Sequence, residues 1–192
     1  MDSDVLLKLF RERAALLEGH FELASTWHSP FYLQCARVLQ DPDLTHRLCV
    51  ELIHPFQGQR IDKVVGPAMG GIIIAYETAR VLGVQAIYAE RKEAVLELRR
   101  GFQIEKDENV LLVEDVVTTG GSILELFDLC QNLGAKVVGF ASLMDRTGGE
   151  FHFPFPLKSL AQVDFPTYEK NQCPLCEKGV PVVKPGSQKI KQ

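Results

Sequence analysis

Hydrophobic and polar positions alternate along the middle of the chain in two kinds of pattern. Val110–Val113 is a run of four apolar residues that predicts a short buried strand, and helical spacing of apolar residues follows from about 121 to 133. The same patterns predict further elements on either side: strands at 62–65, 85–89 and about 136–143, and a helix at 72–82. Strands and helices in this alternation indicate an α/β fold, a mostly parallel central sheet flanked by helices on both faces.

The two ends of the chain carry weaker patterns. Apolar residues at helical spacing predict a helix over 4–18 that ends before Gly19, and residues 21–35 look extended. A second helix is predicted from Pro42 to about 56. The last thirty residues show little periodicity, so we expect a mobile tail over about 180–192.

Composition narrows the class of protein. A chain of 192 residues fits a single domain over 1–192. A net charge of −4 without a long basic run argues against nucleic acid as a partner. No apolar run reaches the length of a membrane span. The five cysteines are an odd number, which suits a reducing cytoplasm better than a disulfide framework.

Candidate chemistry follows the strand at 110–113. Glu114 and Asp115, the acid pair, come first, and the turn Thr118–Ser122, the phosphate turn, leads into the next helix. Glycines let the backbone approach a phosphate closely, and the Thr and Ser hydroxyls add donors. The carboxylates would repel a phosphate, so they suit hydroxyls or developing positive charge beside it, as on a ribose. The alternative is an ordinary strand–helix turn; a Walker loop is excluded because its Gly-Lys-Ser/Thr ending is missing.

A second glycine-rich segment, Gly66–Gly71, follows the strand at 62–65 and opens a helix. This glycine loop is a second candidate anion site, because helix N-termini present unpaired amides. The alternative is a tight turn that only needs glycine. Arg146 directly follows the strand at about 136–143, and an arginine at a strand end suits bidentate capture of a carboxylate. Its alternative is a salt bridge to Asp145 or Glu150.

The segment from the strand at 110–113 through the acid pair and the phosphate turn to the next helix resembles the signature of enzymes that use phosphoribosyl pyrophosphate (PRPP). With residues 19–32, the charged segment at 90–101 and Arg146, the whole chain resembles the orotate phosphoribosyltransferases of the short-loop bacterial kind. The resemblance implies the type I phosphoribosyltransferase fold, with a core over about 42–146 and a small hood from about 1–40 and 150–175. It implies Mg2+-dependent transfer of ribose 5-phosphate from PRPP to orotate, giving orotidine 5′-monophosphate and pyrophosphate in pyrimidine biosynthesis.

The resemblance also implies roles for individual residues. Catalytic roles fall to Asp115, Glu114, Arg91 and Lys92, and orotate contacts to Thr118, Arg146, Phe31 and Tyr32. Mg2+ is expected mainly through PRPP, near the acid pair rather than on direct protein ligands. The implied PRPP contacts are Glu114, Asp115, Val116, Val117, Thr118, Thr119, Gly120, Gly121, Ser122, Ala68, Met69, Gly70, Gly71, Arg91, Lys92, Arg99 and Arg100.

The charged segment is where this chain departs from the family. By resemblance, a homodimer places this basic loop over the neighbouring subunit's site. Val95 stands where many members have a catalytic lysine, and Ala24 and Gly70 replace other lysines. Lys92, Arg99 or Arg100 then supplies the charge, unless the two arginines only belong to a solvated β-hairpin. These losses keep one alternative open, a PRPP-sensing regulator without turnover. A second alternative is a phosphoribosyltransferase for another base, which would not need Arg146 for a carboxylate.

One further motif lies outside this scheme. Cys173-Pro174-Leu175-Cys176 is half of a zinc-site pattern, with no second Cys-x-x-Cys nearby. In one interpretation, the half-sites of two subunits meet in a dimer and form a zinc site. In the favoured interpretation, both residues are reduced cysteines at the surface or in a terminal turn. His20 and His28 are interpreted as structural.

Overall fold

The computed structural model describes residues 3–23, 25–93, 95–149 and 154–185. The helices are α1 (Ser3–Glu12), α2 (Ala36–Leu39), α3 (Pro42–Ile53), α4 (Gly70–Leu82), α5 (Gly121–Asn132) and α6 (Pro174–Glu177). The strands are β1 (Leu16–Glu22), β2 (His28–Leu33), β3 (Lys63–Pro67), β4 (Gln85–Lys92), β5 (Val95–Leu98), β6 (Asn109–Val117), β7 (Lys136–Asp145) and β8 (Leu157–Gln162).

Six of these strands form the central sheet, in the order β5-β4-β3-β6-β7-β8. Only β5 runs antiparallel to its neighbour, so the predicted mostly parallel sheet is confirmed. Successive residues of β6 point to opposite faces. Leu111 and Val113 pack in the core with α3 and α4, whereas Val110 and Leu112 pack in the core with α5. Helices therefore cover both faces, as the alternation of elements predicted.

Local sequence explains where the helices stop and start. Asp41 caps α3 by accepting a hydrogen bond from the Leu44 amide at 3.1 Å, and Pro42 occupies the first turn. The helix after β3 ends at Gly83 in the left-handed region, where the Val84 amide donates back to the Ala79 carbonyl. The predicted second helix is confirmed, its final residues forming a 3-10 turn at His54–Phe56.

The predicted helix over 4–18 is wrong in its second half. It ends at Glu12, because Ala14 takes a positive φ of 50° and the Ala15 amide donates back to the Phe10 carbonyl at 2.7 Å. Leu16 and Leu17 begin β1, which pairs antiparallel with β2. We call this β1–β2 unit the N-terminal hairpin.

The C-terminal part of the chain also differs from expectation. Residues 157–162, expected in the hood, form β8 at the edge of the central sheet. Residues 180–184, expected in the tail, are held: Val183 bridges to Phe21, and Lys184 pairs with Glu22 at 2.7 Å. Residues 186–192 of the predicted tail lie outside the described residues.

We call residues 168–183 the C-terminal strap. The N-terminal hairpin and this strap together form the hood. Tyr168 forms a bridge with His28 on the hairpin. Cys173, interpreted as a surface or turn cysteine, is only 1% exposed within this hood. None of the described helices has the length and apolar character needed to cross a membrane.

Candidate active site

Three loops meet at the edge of the sheet formed by the carboxyl ends of β3, β6 and β7. The glycine loop follows β3, the phosphate turn follows β6 and Arg146 follows β7. Parallel pairing of β6 with β7 places Val117 beside Asp145, and the Arg146 amide donates to the Val117 carbonyl at 2.8 Å. This is the edge at which open α/β sheets bind ligands.

The acid pair lies inside β6 rather than after it. The strand runs to Val117, four residues beyond the predicted end at Val113. Burial, reinforced by the neighbouring Asp115, raises the pKa of Glu114 to about 9. Burial also raises the pKa of Asp115, although hydrogen bonds such as that from the Val116 amide at 2.9 Å oppose the shift. Without a cation or hydroxyl ligand, one carboxyl group of the pair therefore keeps its proton at neutral pH.

The glycine loop packs against the acid pair because its glycines have no side chains. A Cβ atom built on Gly70 would lie 2.6 Å from Asp115 Oδ1. Cβ atoms on Gly66 and Gly71 would meet the loop itself, at 2.6 Å from the Gly71 carbonyl oxygen and from Pro67 Cδ. The peptide bond between Ala68 and Met69 is cis. Glycine at position 70 therefore allows the Asp115 carboxylate to reach the N-terminus of α4.

The phosphate turn has the conformation expected of an anion site. Gly120 has a φ of 78°, in the left-handed region that favours glycine, and α5 begins at the next residue. Thr118 and Thr119 are exposed at the mouth of this turn. The first amides of α5 and the hydroxyls of Thr118, Thr119 and Ser122 thus surround one small depression.

Arg146 lines a larger cavity of about 460 Å³ between the sheet edge and the hood. Its guanidinium lies over the ring of Phe165, 5.1 Å from the centroid, and its Nη2 is 3.5 Å from Ser29 Oγ. Burial lowers the pKa of Arg146. Within the described residues, no carboxylate lies at ion-pair distance from Arg146. Asp145, its expected alternative partner, instead accepts from the Thr147 amide at 2.8 Å, and Glu150 lies outside the described residues.

The predicted aromatic residues of the N-terminal hairpin lie beside this cavity, which we call the hood cavity. Phe31 stacks on Phe165 with ring centroids 4.7 Å apart, so Phe165 separates it from Arg146. Tyr32 packs against Phe21, and burial together with the nearby Asp115 raises the pKa of Tyr32. The cavity wall is made of other residues: Leu23, Ser25, Trp27, Thr118, Thr119, Arg146, Thr147 and Thr167.

The charged segment forms a β-hairpin of β4 and β5, the basic hairpin. Arg91 pairs with Glu125 of α5 at 2.7 Å, and Lys92 is exposed near the tip. Arg99 lies 3.8 Å from Glu90, and Arg100 forms a two-point pair with the same carboxylate. The structure therefore brings the acid pair, both loops and Arg146 together, but it holds Arg99 and Arg100 against Glu90. Ala24, the expected site of a lost lysine, lies outside the described residues.

Sequence reasoning missed several residues of the cavity wall. Trp27, which is 43% exposed, lines this cavity although its sequence position gave it no assigned role. Phe165 and Thr167 had no local signal, because only the fold brings the segment after β8 next to Arg146.

Comparisons with known proteins agree with this arrangement. Residues 44–166 match the model of the phosphoribosyl transferase domain. The chain is 48% identical over 190 residues to orotate phosphoribosyltransferase of Caldanaerobacter subterraneus, a match covering 99% of this chain and 100% of that one. It is 52% identical over 186 residues to the protein of that name from Carboxydothermus hydrogenoformans, covering 96% and 97%.

Solved structures give the same picture at the level of the fold. The crystal structure of orotate phosphoribosyltransferase from Aeropyrum pernix matches with a TM-score of 0.69 and 27% identity, over 82% of this chain and 93% of that one. Adenine phosphoribosyltransferase from Rhodothermus marinus matches with a TM-score of 0.67 and 23% identity, over 83% and 99%. The predicted phosphoribosyltransferase fold is therefore confirmed.

Proposed function

The chain belongs to the orotate phosphoribosyltransferase family, and from that premise we propose that it joins orotate to the ribose 5-phosphate of PRPP. The bond from the ribose C1 to pyrophosphate breaks, and a bond from C1 to N1 of orotate forms. The products are orotidine 5′-monophosphate and pyrophosphate. The observation that carries the choice of base is Arg146, a partly buried cation on the wall of the hood cavity without a carboxylate partner among the described residues.

The proposed base site uses Arg146 to select a carboxylate. A desolvated guanidinium with donors directed into a cavity binds a planar carboxylate more strongly than an exposed one does. Orotate carries such a group, whereas uracil and the purines do not. Stacking of the guanidinium on Phe165 fixes its plane, and Thr118 at the cavity mouth adds a hydroxyl near the base.

The two loops at the sheet edge account for the phosphate groups of PRPP. We assign the 5′-phosphate to the phosphate turn, where Gly120 and the first amides of α5 offer donors. The pyrophosphate is assigned to the glycine loop at the N-terminus of α4. Holding both ends of PRPP keeps the ribose still while its C1 moves, so positioning provides much of the catalysis.

The acid pair is assigned to the ribose. Its carboxyl groups accept hydrogen bonds from the 2′ and 3′ hydroxyls, and they stabilise positive charge that develops at C1 as pyrophosphate leaves. The chemistry of this donor set also fits Mg2+, because carboxylate and hydroxyl oxygens are the ligands that this ion prefers. Mg2+, when bound with PRPP near Glu114 and Asp115, supplies positive charge that neutralises the leaving pyrophosphate.

We further propose that the protein acts as a cytoplasmic homodimer and that Arg91 and Lys92 approach the neighbouring subunit's site. Exposure of Lys92 near the tip of the basic hairpin supports this role. Arg99 and Arg100 would have to leave Glu90 before they could contact PRPP, so we assign them a structural role in the ligand-free hairpin.

A substrate panel tests the proposal. Purified protein with PRPP and Mg2+ is expected to consume orotate, followed by absorbance, and to leave uracil, hypoxanthine and adenine unchanged. Arg146→Ala should lower kcat/KM for orotate about a hundredfold, since a charged hydrogen-bonded pair is worth a few kcal/mol. Asp115→Asn should lower turnover with little effect on folding.

Matched controls separate these effects from general damage. Arg60→Ala removes an exposed arginine and Asp107→Asn an exposed carboxylate, and both variants should keep the wild-type rate. Wild-type turnover in Arg146→Ala would refute the base assignment. PRPP binding in calorimetry without turnover on any base would instead identify a regulator, the alternative that Gly70 and Val95 keep open.

A further inference from the structure

Two histidines and two cysteines, the residue types that most often bind zinc, meet inside the hood, away from the sheet edge that carries the proposed reaction. His20 lies on β1, His28 on β2, and Cys173 and Cys176 lie on the C-terminal strap. Each offers one ligating atom, and these four atoms all lie within 4.8 Å of one another. One chain therefore completes the set, and the half-site of two cysteines does not need a second subunit.

The distances within this hood cluster match a shared metal ion. Cys173 Sγ lies 3.4 Å from His20 Nε2, and Cys176 Sγ lies 3.3 Å from His28 Nδ1 and 3.7 Å from His20 Nε2. Tetrahedral zinc, with bonds of about 2.0 Å to nitrogen and 2.3 Å to sulfur, sets nitrogen and sulfur ligands about 3.5 Å apart. The two ring nitrogens are closer, at 2.8 Å, and must separate by about half an ångström to share an ion.

The orientation of His20 supports coordination. Its Nδ1 lies 2.7 Å from the Val180 carbonyl oxygen. Because a carbonyl only accepts, Nδ1 carries the proton and Nε2 keeps the lone pair directed at the cysteines and His28. A ring nitrogen that donates to a carbonyl while the other nitrogen faces the ligand set is the usual arrangement around a bound metal.

Burial argues against a chance meeting of polar groups. His20 is 2% exposed, His28 1% and Cys173 1%, whereas Cys176 lies at the surface and leaves a path for an ion to enter. Two thiolates would neutralise the charge of a divalent ion in this environment. Imidazole with thiolate in a closed set of four favours zinc over magnesium or calcium, which prefer oxygen ligands.

We propose that His20, His28, Cys173 and Cys176 bind a structural zinc ion that fastens the C-terminal strap to the N-terminal hairpin. The ion has no part in the transfer chemistry. It fixes the hairpin that carries Ser29 and Phe31, and these residues set the position of Arg146 through Ser29 Oγ and Phe165. Zinc is thus assigned a positioning role for the base site.

Metal analysis of the full-length protein tests the proposal. Protein purified without a metal-affinity tag should contain about one zinc ion per chain, as measured by inductively coupled plasma mass spectrometry. Cys176→Ser and His28→Gln should each reduce the zinc content at least tenfold. Cys130→Ala, which removes a buried cysteine from α5, is the matched control and should retain the metal.

A spectroscopic measurement on the wild-type chain covers the case in which a variant does not fold. Cobalt(II) exchanged into the site should give the intense visible bands of four-coordinate cobalt and a thiolate-to-cobalt charge-transfer band. Weak octahedral bands would overturn the proposal. So would a Cys173–Cys176 disulfide in freshly isolated protein, or a zinc content that survives both Cys176→Ser and His28→Gln.

A kinetic measurement tests the positioning role by itself. Removal of zinc with a chelator should raise KM for orotate several-fold, leave KM for PRPP within about twofold, and be reversed by added zinc but not by added magnesium. Equal changes in the two KM values would contradict the positioning role. Failure of the orotate assay altogether would refute the proposed function, whereas the metal content and the cobalt spectrum would still decide the zinc site.

Discussion

In the ligand-free protein Glu114 keeps its proton at neutral pH, because burial and the neighbouring Asp115 raise the pKa of its carboxyl group to about 9. In the unfolded chain the same group ionises near the ordinary glutamate pKa of 4.5. Between these two values the folded protein holds a proton that the unfolded chain releases. The stabilisation from this residue is therefore fully present below the lower value and is lost as the pH rises toward the upper one.

Replacing Glu114 by Gln should remove this pH dependence. We expect Glu114→Gln to raise the free energy of unfolding by about 1–3 kcal/mol at pH 8 and by little at pH 4.5, because Gln is neutral in both states. Urea unfolding at the two pH values measures the difference, and Glu12→Gln on the exposed face of α1 serves as control. Equal gains at both values would contradict the raised pKa. Turnover should fall, since an amide replaces the carboxyl group that is assigned to the ribose hydroxyls.

Gly70 controls the approach of the Asp115 carboxylate to the N-terminus of α4. Gly70→Ala places a Cβ atom 2.6 Å from the present position of Asp115 Oδ1, so the carboxylate must move. We expect kcat/KM for PRPP to fall between about ten- and a hundredfold, because displacements below 1 Å are costly at a reacting centre. Ile73→Ala, on an exposed position of the same helix, should leave steady-state kinetics unchanged.

A fall in activity that is matched by a fall in thermal stability would indicate general damage to the glycine loop instead. A side chain at position 70 would compete with the Asp115 carboxylate for the same space in this structure. The loop packs around glycine there, so the lack of a lysine does not by itself indicate a lost reaction.

At the scale of elements, the two ends of the parallel strands carry different features. The candidate site lies at their carboxyl ends, whereas a buried ion pair between β3 and the turn before β6 lies at their amino ends. Lys63 is 5% exposed, and its Nζ donates to Glu108 Oε2 and to the Gln103 carbonyl, both at 2.8 Å. This pair contributes to stability, and it is remote from the acid pair.

Breaking that pair should destabilise the fold without altering catalysis. We expect Lys63→Met to lower the free energy of unfolding by about 3 kcal/mol, since Glu108 keeps a poorly solvated charge without its partner. Lys136→Met, which breaks the exposed pair with Asp107, should cost less than about 1 kcal/mol. Urea unfolding measures both values.

The double variant Lys63→Met/Glu108→Gln provides a check on the mechanism. It should recover part of the lost stability, because no charge is then left unpaired. If it is as unstable as the sum of the two single variants, the loss comes from packing and not from the ion pair. Steady-state kinetics at 25 °C should stay at the wild-type level in all of these variants.

The sequence predicted the central elements well and the hood poorly, for a physical reason. Strands such as β6 are buried on both faces, so their apolar runs are visible along the chain. The apolar pattern predicts that β6 ends at Val113, four residues too early, because the strand continues through the polar residues Glu114 and Asp115. Leu16 and Leu17 fit a helix by spacing, but pairing with β2 decides for a strand, and β8 is short and mixes Lys158 and Ser159 with leucines.

The candidate site divides in the same way. The acid pair, the phosphate turn and the glycine loop are each contiguous in sequence, so local patterns predict them as candidates, and the structure brings them together at one end of the sheet. The role of Phe165 and the joining of His20 and His28 to the Cys173–Cys176 half-site have no local pattern, because these residues meet only through tertiary contacts. His20 and Cys173 are 153 residues apart, and nothing local to either residue indicates the other.

At the scale of the whole molecule, the proposed homodimer can be tested by mixing chains. One chain carries Arg91→Ala and Lys92→Ala, the other carries Asp115→Asn, and each is nearly inactive alone. After subunit exchange, the mixture should regain roughly a quarter of the wild-type activity, because half of the chains enter mixed dimers and one of their two sites is intact. Initial rates at equal total protein measure the recovery.

The control for this experiment pairs two variants of one part of the site. A mixture of Asp115→Asn with Glu114→Gln chains should regain nothing, because both changes fall in the acid pair and no combination restores it. If the first mixture gives only the sum of the two separate rates, the basic hairpin acts within its own subunit. The pair between Arg91 and Glu125 of the same chain would then describe the working position.

The hood joins segments that are far apart in sequence, such as His20 and Cys173 with a separation of 153 residues, and this has a consequence for biosynthesis. His20 contacts Val180 and Cys173, which leave the ribosome after nearly all of the sheet has been made. During translation the sheet and its helices can assemble from neighbouring segments, while the N-terminal hairpin has no strap to pair with. Closure of the hood therefore has to follow synthesis of the sheet strands, and we expect the base site of a nascent chain to stay open until the C-terminal strap has emerged.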